Sequence, residues 1–126
     1  MKYKILNIKV NKFDFKLNLH NQTDYNLKLE FDKNVNIKDE NKTELVLKLR
    51  IMDKEDAHTP FNIEYELSVI YEFDDISKDE YNEFMDINAI QIAFPYMRSI
   101  LTSLTSSLMI QPIILPIIDS RTFFKK

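Results

Sequence analysis

From residue 61 to residue 73 every second side chain is apolar. Phe61, Ile63, Tyr65, Leu67, Val69, Tyr71 and Phe73 alternate with Asn62, Glu64, Glu66, Ser68, Ile70 and Glu72. Period two puts one set on one face of an extended chain and the other set on the opposite face. A sheet buried on one face and wet on the other uses this pattern, and antiparallel pairing builds it. The alternation recurs through Leu45, Leu47, Leu49 and Ile51, and through Tyr25, Leu27, Leu29 and Phe31 into Val35 and Ile37. Near the N-terminus the phase slips: Leu6, Ile8 and Val10 share one parity, while Phe13, Phe15, Leu17 and Leu19 share the other. An extra residue near Asn11 and Lys12, as a bulge or sharp bend, would return both groups to one face. Polar stretches at 20–24, 38–43 and 53–60 read as links between neighbouring antiparallel strands.

After Asp75 the period changes. Ser77 and Glu80 have the spacing of a capping box. A short helical turn through Tyr81, Phe84 and Met85 is expected. A longer helix then follows, with Asp86 or Asn88 as N-cap. Ile90, Phe94, Met97, Leu101, Leu104 and Leu108 step by three and four, which makes a seam one side chain wide. Pro95 lies inside this pattern, so it either opens the helix at its first turn or leaves the Gln91 carbonyl unpaired and kinks it. Small side chains beside the seam, Ser103 among them, would let a partner element approach closely. The stretch from Ser99 to Ile118 carries no charge. Pro112 and Pro116 argue against a membrane-spanning helix, so extended chain on an apolar surface is expected there, and no membrane insertion. Asp119 to Phe124 reads as a last helical turn.

The 126 residues include no glycine and no cysteine. Glycine-rich phosphate loops and the G-x-S-x-G nucleophile elbow are therefore excluded, as are disulfides and thiolate metal sites. Turns must be made by other residues, and eleven Asn are available for left-handed positions. A length of 126 residues with 44% hydrophobic content suits one globular domain over 1–126. Net charge is −3 with dispersed basic residues, so no nucleic-acid partner is expected. A start of Met-Lys-Tyr-Lys has no signal peptide, and a cytoplasmic protein is the simplest reading.

Candidates for chemistry are few. His20 and His58 lie in polar loops and read as solvated residues; with Glu55 and Asp56 beside it, His58 falls short of a preset ligand set, so no metal is expected. Asp74, Asp75, Asp79 and Glu80 read as a strand exit and a helix start, where acids favour the helix dipole. The alternative is an acidic docking patch for a basic partner. No base is placed to activate the Ser/Thr cluster at 99–107, so neither an enzyme nor a cofactor is expected. The notable excess is apolar. Phe94, Tyr96, Met97, Leu115, Ile117, Ile118, Phe123 and Phe124 belong to a larger late set that one sheet face and one helix do not easily hide. Such surface marks oligomer contacts or a binding groove.

The run Ala93-Phe-Pro-Tyr-Met-Arg-Ser-Ile-Leu-Thr-Ser-Leu-Thr-Ser107 resembles the F-P-Y-x-R helix of the SecB protein-export chaperones, and Gln111-Pro-Ile-Ile-Leu-Pro-Ile-Ile-Asp119 resembles that family's P-x-x-L-x-P segment. The resemblance implies an α+β subunit: a four-stranded antiparallel sheet, a long helix and a short C-terminal helix. It implies a homotetramer, assembled as a dimer of dimers through the long helices. The activity implied is that of an ATP-independent holdase that keeps precursor polypeptides unfolded for export and passes them to a SecA-type motor. Phe94, Pro95, Tyr96 and Arg98 would shape the helix and its packing, while Pro112, Leu115 and Pro116 would wall the client groove. The late apolar set supplies the client-groove candidates, and Pro95, Arg98, Leu101, Ser103 and Leu104 supply the helix and interface candidates. The sequence runs only two residues past Phe124, so the family's long second helix and tail are not expected. It also has Ile118-Asp119 where the family often has Asn-Phe. A chaperone dedicated to the antitoxin of a toxin–antitoxin system, and a non-chaperone binding module, stand as alternatives. A holdase needs adaptable apolar surface, and five Met, nine Phe and six Tyr supply it.

Overall fold

The computed structural model describes residues 2–18, 28–54 and 59–108. Four strands, β1 (Lys2–Leu17), β2 (Glu30–Ile37), β3 (Lys42–Ile51) and β4 (Phe61–Asp74), form one antiparallel sheet in the order β1-β4-β3-β2. A helical region follows: α1 (Lys78–Glu83), a π-helical turn (Phe84–Asn88) and α2 (Ala89–Ser107). The fold class is α+β, as the alternation and the later helical period imply. The expected last helical turn at 119–124 lies outside the described residues, as do Leu19, Tyr25 and Leu27.

Strand order corrects one expectation. The 20–24 link does not join neighbours: β1 pairs with β4 on one side of the sheet, while β2 is the opposite edge. Alternation sets the faces of a strand but carries no information about its neighbour.

The phase slip in β1 is resolved by two bulges, one between Ile5 and Asn7 and one between Val10 and Lys12. The second is the one the parity change predicts. The first corrects the placement of Leu6. Leu6 drops out of register, and Ile5 takes the position opposite Tyr71, while Ile8 faces Val69 and Val10 faces Leu67. After the second bulge Phe13 faces Tyr65 and Phe15 faces Ile63. Both bulges are made without glycine.

Among the described residues the left-handed conformation is used once, at Asp75 (φ 52°), where β4 hands over to the helix. Aspartate tolerates this region through local hydrogen bonding of its short side chain. Ser77 then starts α1 with a complete capping box: its hydroxyl accepts from the Glu80 N–H at 3.2 Å, and the Glu80 carboxylate accepts from the Ser77 N–H at 3.3 Å.

Asn88, one of the two expected N-caps, stands at the position before α2, while Asp86 lies inside the π turn. Asn88 is itself helical (φ −68°, ψ −40°) and makes no side-chain cap, and the Ala89 N–H reaches back to the Phe84 carbonyl. The π turn lengthens one step of the buried stripe to five residues, from Phe84 to Ala89 and from Met85 to Ile90. Both pairs thereby stay on the sheet, and all four side chains are buried. Pro95 lies inside α2, not at its first turn, and is exposed. The donor it lacks is the one that would serve Gln91, also on the water side.

The core lies between the helix and one face of β3 and β4. Leu45, Leu47, Ile51, Ile63, Leu67, Val69, Ala93, Met97 and Leu101 are completely buried there. Each large buried side chain contributes about 1.5–3 kcal/mol. The other face carries cross-strand ion pairs such as Lys12–Glu64, Lys4–Glu72 and Lys48–Glu66. Partly exposed pairs of this kind are worth about 0–1 kcal/mol each, so the apolar face holds the sheet together.

Candidate functional site

Two tyrosines of β4 dock α2 onto the sheet. The Tyr71 hydroxyl donates to the Ala89 carbonyl at 2.7 Å, and the Tyr65 hydroxyl donates to the Met97 carbonyl at 3.3 Å. Burial pushes both hydroxyls to stay protonated well above the usual tyrosine range. Phe31 of β2 meets Phe94 edge-on at 5.9 Å between ring centres. At the other end, Phe84 packs against Tyr3, Tyr71 and Phe73.

The helix does not cover the margins of this face. On β2, Val35 and Ile37 stand 40% and 73% exposed; on β1, Val10 and Leu17 are also exposed. Val35 pairs with Leu45 and Ile37 with Thr43, which puts both on the helix side of the sheet. Lys33 interrupts the row between Phe31 and Val35. Burial lowers its pKa, and Asp86 of the π turn partly opposes that shift. The apolar surface is thus continuous with the core and lies at the two edge strands.

The expected site residues fall into separate environments. Phe94 and Met97, expected in the groove, are core residues of the subunit at 5% and 0% exposure. They belong to the stripe that faces the sheet, which the Ile90–Phe94–Met97–Leu101 spacing defines. Leu101, an interface candidate, is buried in the same stripe. Tyr96, Pro95 and Ser103 are exposed on the outward side of α2, and Arg98 and Leu104 are half-buried. Leu115, Ile117, Ile118, Phe123 and Phe124 lie outside the described residues, as do Pro112, Pro116, His20 and His58. Asp74, Asp75, Asp79 and Glu80 are all exposed at the β4–α1 junction. Asp39 and Glu40 of the β2–β3 turn join Asp75 around a shallow depression floored by Phe73 and Ile76. Glu80 serves the capping box, whose Ser77 N–H and hydroxyl hold its carboxyl below the usual range.

Sequence reasoning missed Val35 and Ile37 as exposed surface, together with Tyr3, Val10 and Leu17. Their alternation signals burial, and strand order alone shows that they sit at edges. Among the described residues there is no group of three or more acidic, histidine or cysteine side chains placed to hold a metal ion. No helix among them is long and apolar enough to cross a membrane.

A one-sided antiparallel sheet, a long helix laid along it and apolar margins at both edges make a SecB-like chaperone fold. Residues 9–126 match the family described as preprotein translocase subunit SecB, and the chain belongs to that family. A solved structure of the Mycobacterium tuberculosis SecB-like chaperone Rv1957, in complex with a ChAD peptide from the Rv1956 HigA1 antitoxin, superposes with a TM-score of 0.72. The alignment covers 93% of this chain and 91% of that one at 17% identity, a likeness of fold. An uncharacterised protein of Methanocaldococcus jannaschii is 28% identical over 95 residues, which is 75% of this chain. The match spans 61% of that relative's length.

Proposed function

We propose that the protein is an ATP-independent holdase, not an enzyme, that receives unfolded or precursor polypeptides on apolar surface. The observation that carries this reading is the exposed apolar row of β2, Val35 and Ile37, which continues the core out to a sheet edge. An extended client can add main-chain hydrogen bonds to such an edge and place alternate side chains against the row. Tyr96 on the helix would add to this surface, and so would Leu115, Ile117, Ile118, Phe123 and Phe124. The protein acts in the cytoplasm as a homotetramer, a dimer of dimers packed through α2, with Pro95, Arg98 and Ser103 at the helix contact. Its clients serve protein export, with a SecA-type motor as the receiving partner and the exposed acids at the β4–α1 junction as a docking patch for a basic surface.

A second reading is favoured by one specific observation. The structural neighbour from Mycobacterium tuberculosis is bound to an antitoxin peptide, and a chaperone dedicated to one antitoxin fits the same surface. A non-chaperone binding module remains a third reading.

The discriminating experiment is suppression of aggregation of several unrelated denatured proteins at stoichiometric ratio without ATP. A general holdase protects all of them. A dedicated chaperone protects one partner and ignores the rest. Failure with every client removes the holdase. Light scattering on the purified protein reads assembly, and a strict monomer removes the tetramer.

A further inference from the structure

One carboxylate on the polar face of the sheet is withdrawn from water. The Glu44 side chain on β3 is 10% exposed, whereas Glu64, Glu66 and Glu72 on the same face keep 25–31%. Burying a carboxylate is unfavourable unless hydrogen bonds replace the lost water. Glu44 receives them from both neighbouring strands. Its Oε2 accepts from the Ser68 hydroxyl of β4 at 2.5 Å. Its Oε1 accepts from the Asn36 amide of β2 at 3.2 Å and lies 3.4 Å from the Lys38 ammonium. The Ser68 hydroxyl, followed by the Asn36 amide and Lys38, holds the carboxyl below its usual range against the opposing effect of burial.

The residues held at the β2 end are the two neighbours of Ile37. Asn36 and Lys38 flank it in sequence, and Ile37 itself projects from the opposite face. Among the described residues β2 pairs with β3 alone, and it is an edge strand. The last turn of an edge strand is where a sheet opens most readily. An apolar side chain at position 44 would be buried without a desolvation cost, but it would have no direction. A carboxylate has two oxygens and bonds to both sides at once, which ties the end of β2 across β3 to the centre of the sheet.

We propose that Glu44 is a positioning residue for client binding, fixing from the polar face the Val35–Ile37 wall on which an extended apolar client segment lies. The inference rests on the holdase reading above. Glu44 never touches the client. It reduces the freedom that the wall would otherwise lose when a client binds, so it acts through pre-organisation.

The test uses reduced, carboxymethylated, fluorescein-labelled α-lactalbumin as client. Its affinity is read by anisotropy, and amide hydrogen exchange is read in parallel at residues 36–38. Glu44→Leu keeps the side chain's bulk and removes both acceptor oxygens. It is expected to weaken client binding by up to about tenfold, the size of one lost charge-assisted hydrogen bond. Exchange at the end of β2 should accelerate while that of β4 stays unchanged. Asn36→Ala cuts the same tie at an exposed position and is expected to act in the same direction if Glu44→Leu fails to fold. Glu44→Gln, whose amide can turn its oxygen to Asn36 and its nitrogen to the Ser68 hydroxyl, is expected to keep both readouts near those of the parent. Ile37→Ser tests the wall itself. If Ile37→Ser weakens binding while Glu44→Leu and Asn36→Ala leave affinity and exchange unchanged, Glu44 has no positioning role. If Ile37→Ser has no effect, β2 is not a client wall and the proposal falls with it. A wild-type protein that does not bind the probe removes the holdase reading itself.

Discussion

Replacing Tyr71 by Phe tests the docking of α2 on the sheet while leaving the ring, and so the packing, in place. Tyr71 is completely buried, and its hydroxyl reaches the Ala89 carbonyl at 2.7 Å. A helical carbonyl already accepts one bond from the backbone ladder, so losing the hydroxyl does not orphan the acceptor. The expected loss is that of one net hydrogen bond, about 1 kcal/mol. For a domain of this size that corresponds to a fall in Tm of about 3–6 °C. Tyr65→Phe removes a longer bond, 3.3 Å to the Met97 carbonyl, and is expected to cost about half as much. The assay is urea and thermal unfolding followed by circular dichroism at one fixed protein concentration, because assembly makes Tm concentration-dependent. The pH dependence adds an independent check. An unfolded tyrosine titrates near 10.0, and burial raises both folded values above that. The stabilisation from burying a protonated hydroxyl is therefore complete below about pH 10 and is lost as the pH rises further, when the unfolded chain ionises first. Each Phe variant should show a shallower alkaline decline than the parent. A Tyr65→Phe cost equal to or larger than that of Tyr71→Phe, with no change in the alkaline limb, refutes the docking argument.

Three further outcomes are expected. Ser77→Ala removes the hydroxyl of the capping box and should lower stability by about 1 kcal/mol, read by the urea midpoint with an unchanged slope. Asp75→Gly should be neutral or slightly stabilising, while Asp75→Val should cost about 1–2 kcal/mol, because a β-branched residue is strongly disfavoured at φ 52°; equal Tm values for the two variants would count against a strained turn. Glu44 has a folded pKa below the ordinary 4.5, so its contribution is present above that value and fades as the pH falls through the folded one. Glu44→Gln should flatten the acid limb of a stability–pH curve, and an unchanged limb would contradict the buried carboxylate.

Particular residues show how much of this was legible beforehand. The faces of β3 and β4 follow directly from alternation, since a side-chain period of two permits one assignment of inside and outside. The capping box at Ser77 is equally local: a hydroxyl and a carboxylate three residues apart satisfy each other's backbone N–H. The parity change in β1 announces one bulge. The other, at Leu6, is set by β4, whose residues dictate which β1 side chains face the core. The π turn at Phe84–Asn88 was hidden because Asp86 and Asn88 look like caps when the sheet beneath them is unknown. Phe94 and Met97 lie in the core and not in the expected groove, because a seam of apolar residues does not say which surface it faces.

The sequence alone determined what depends on near neighbours. Period two required a one-sided sheet, and period 3.6 after Asp75 required a helix. The absence of glycine required any left-handed turn to be made by another residue, because backbone sterics act within a residue or two; that Asp75, and none of the described Asn, takes it was decided by the structure. The tertiary structure alone decided which strands are edges. Val35 and Ile37 carry the same alternating signature as Leu45 and Leu47. Whether such a row is sealed or open depends on having a strand beside it and a helix above it. That is a long-range pairing, which no local pattern encodes, and it is what separates core from exposed apolar surface here.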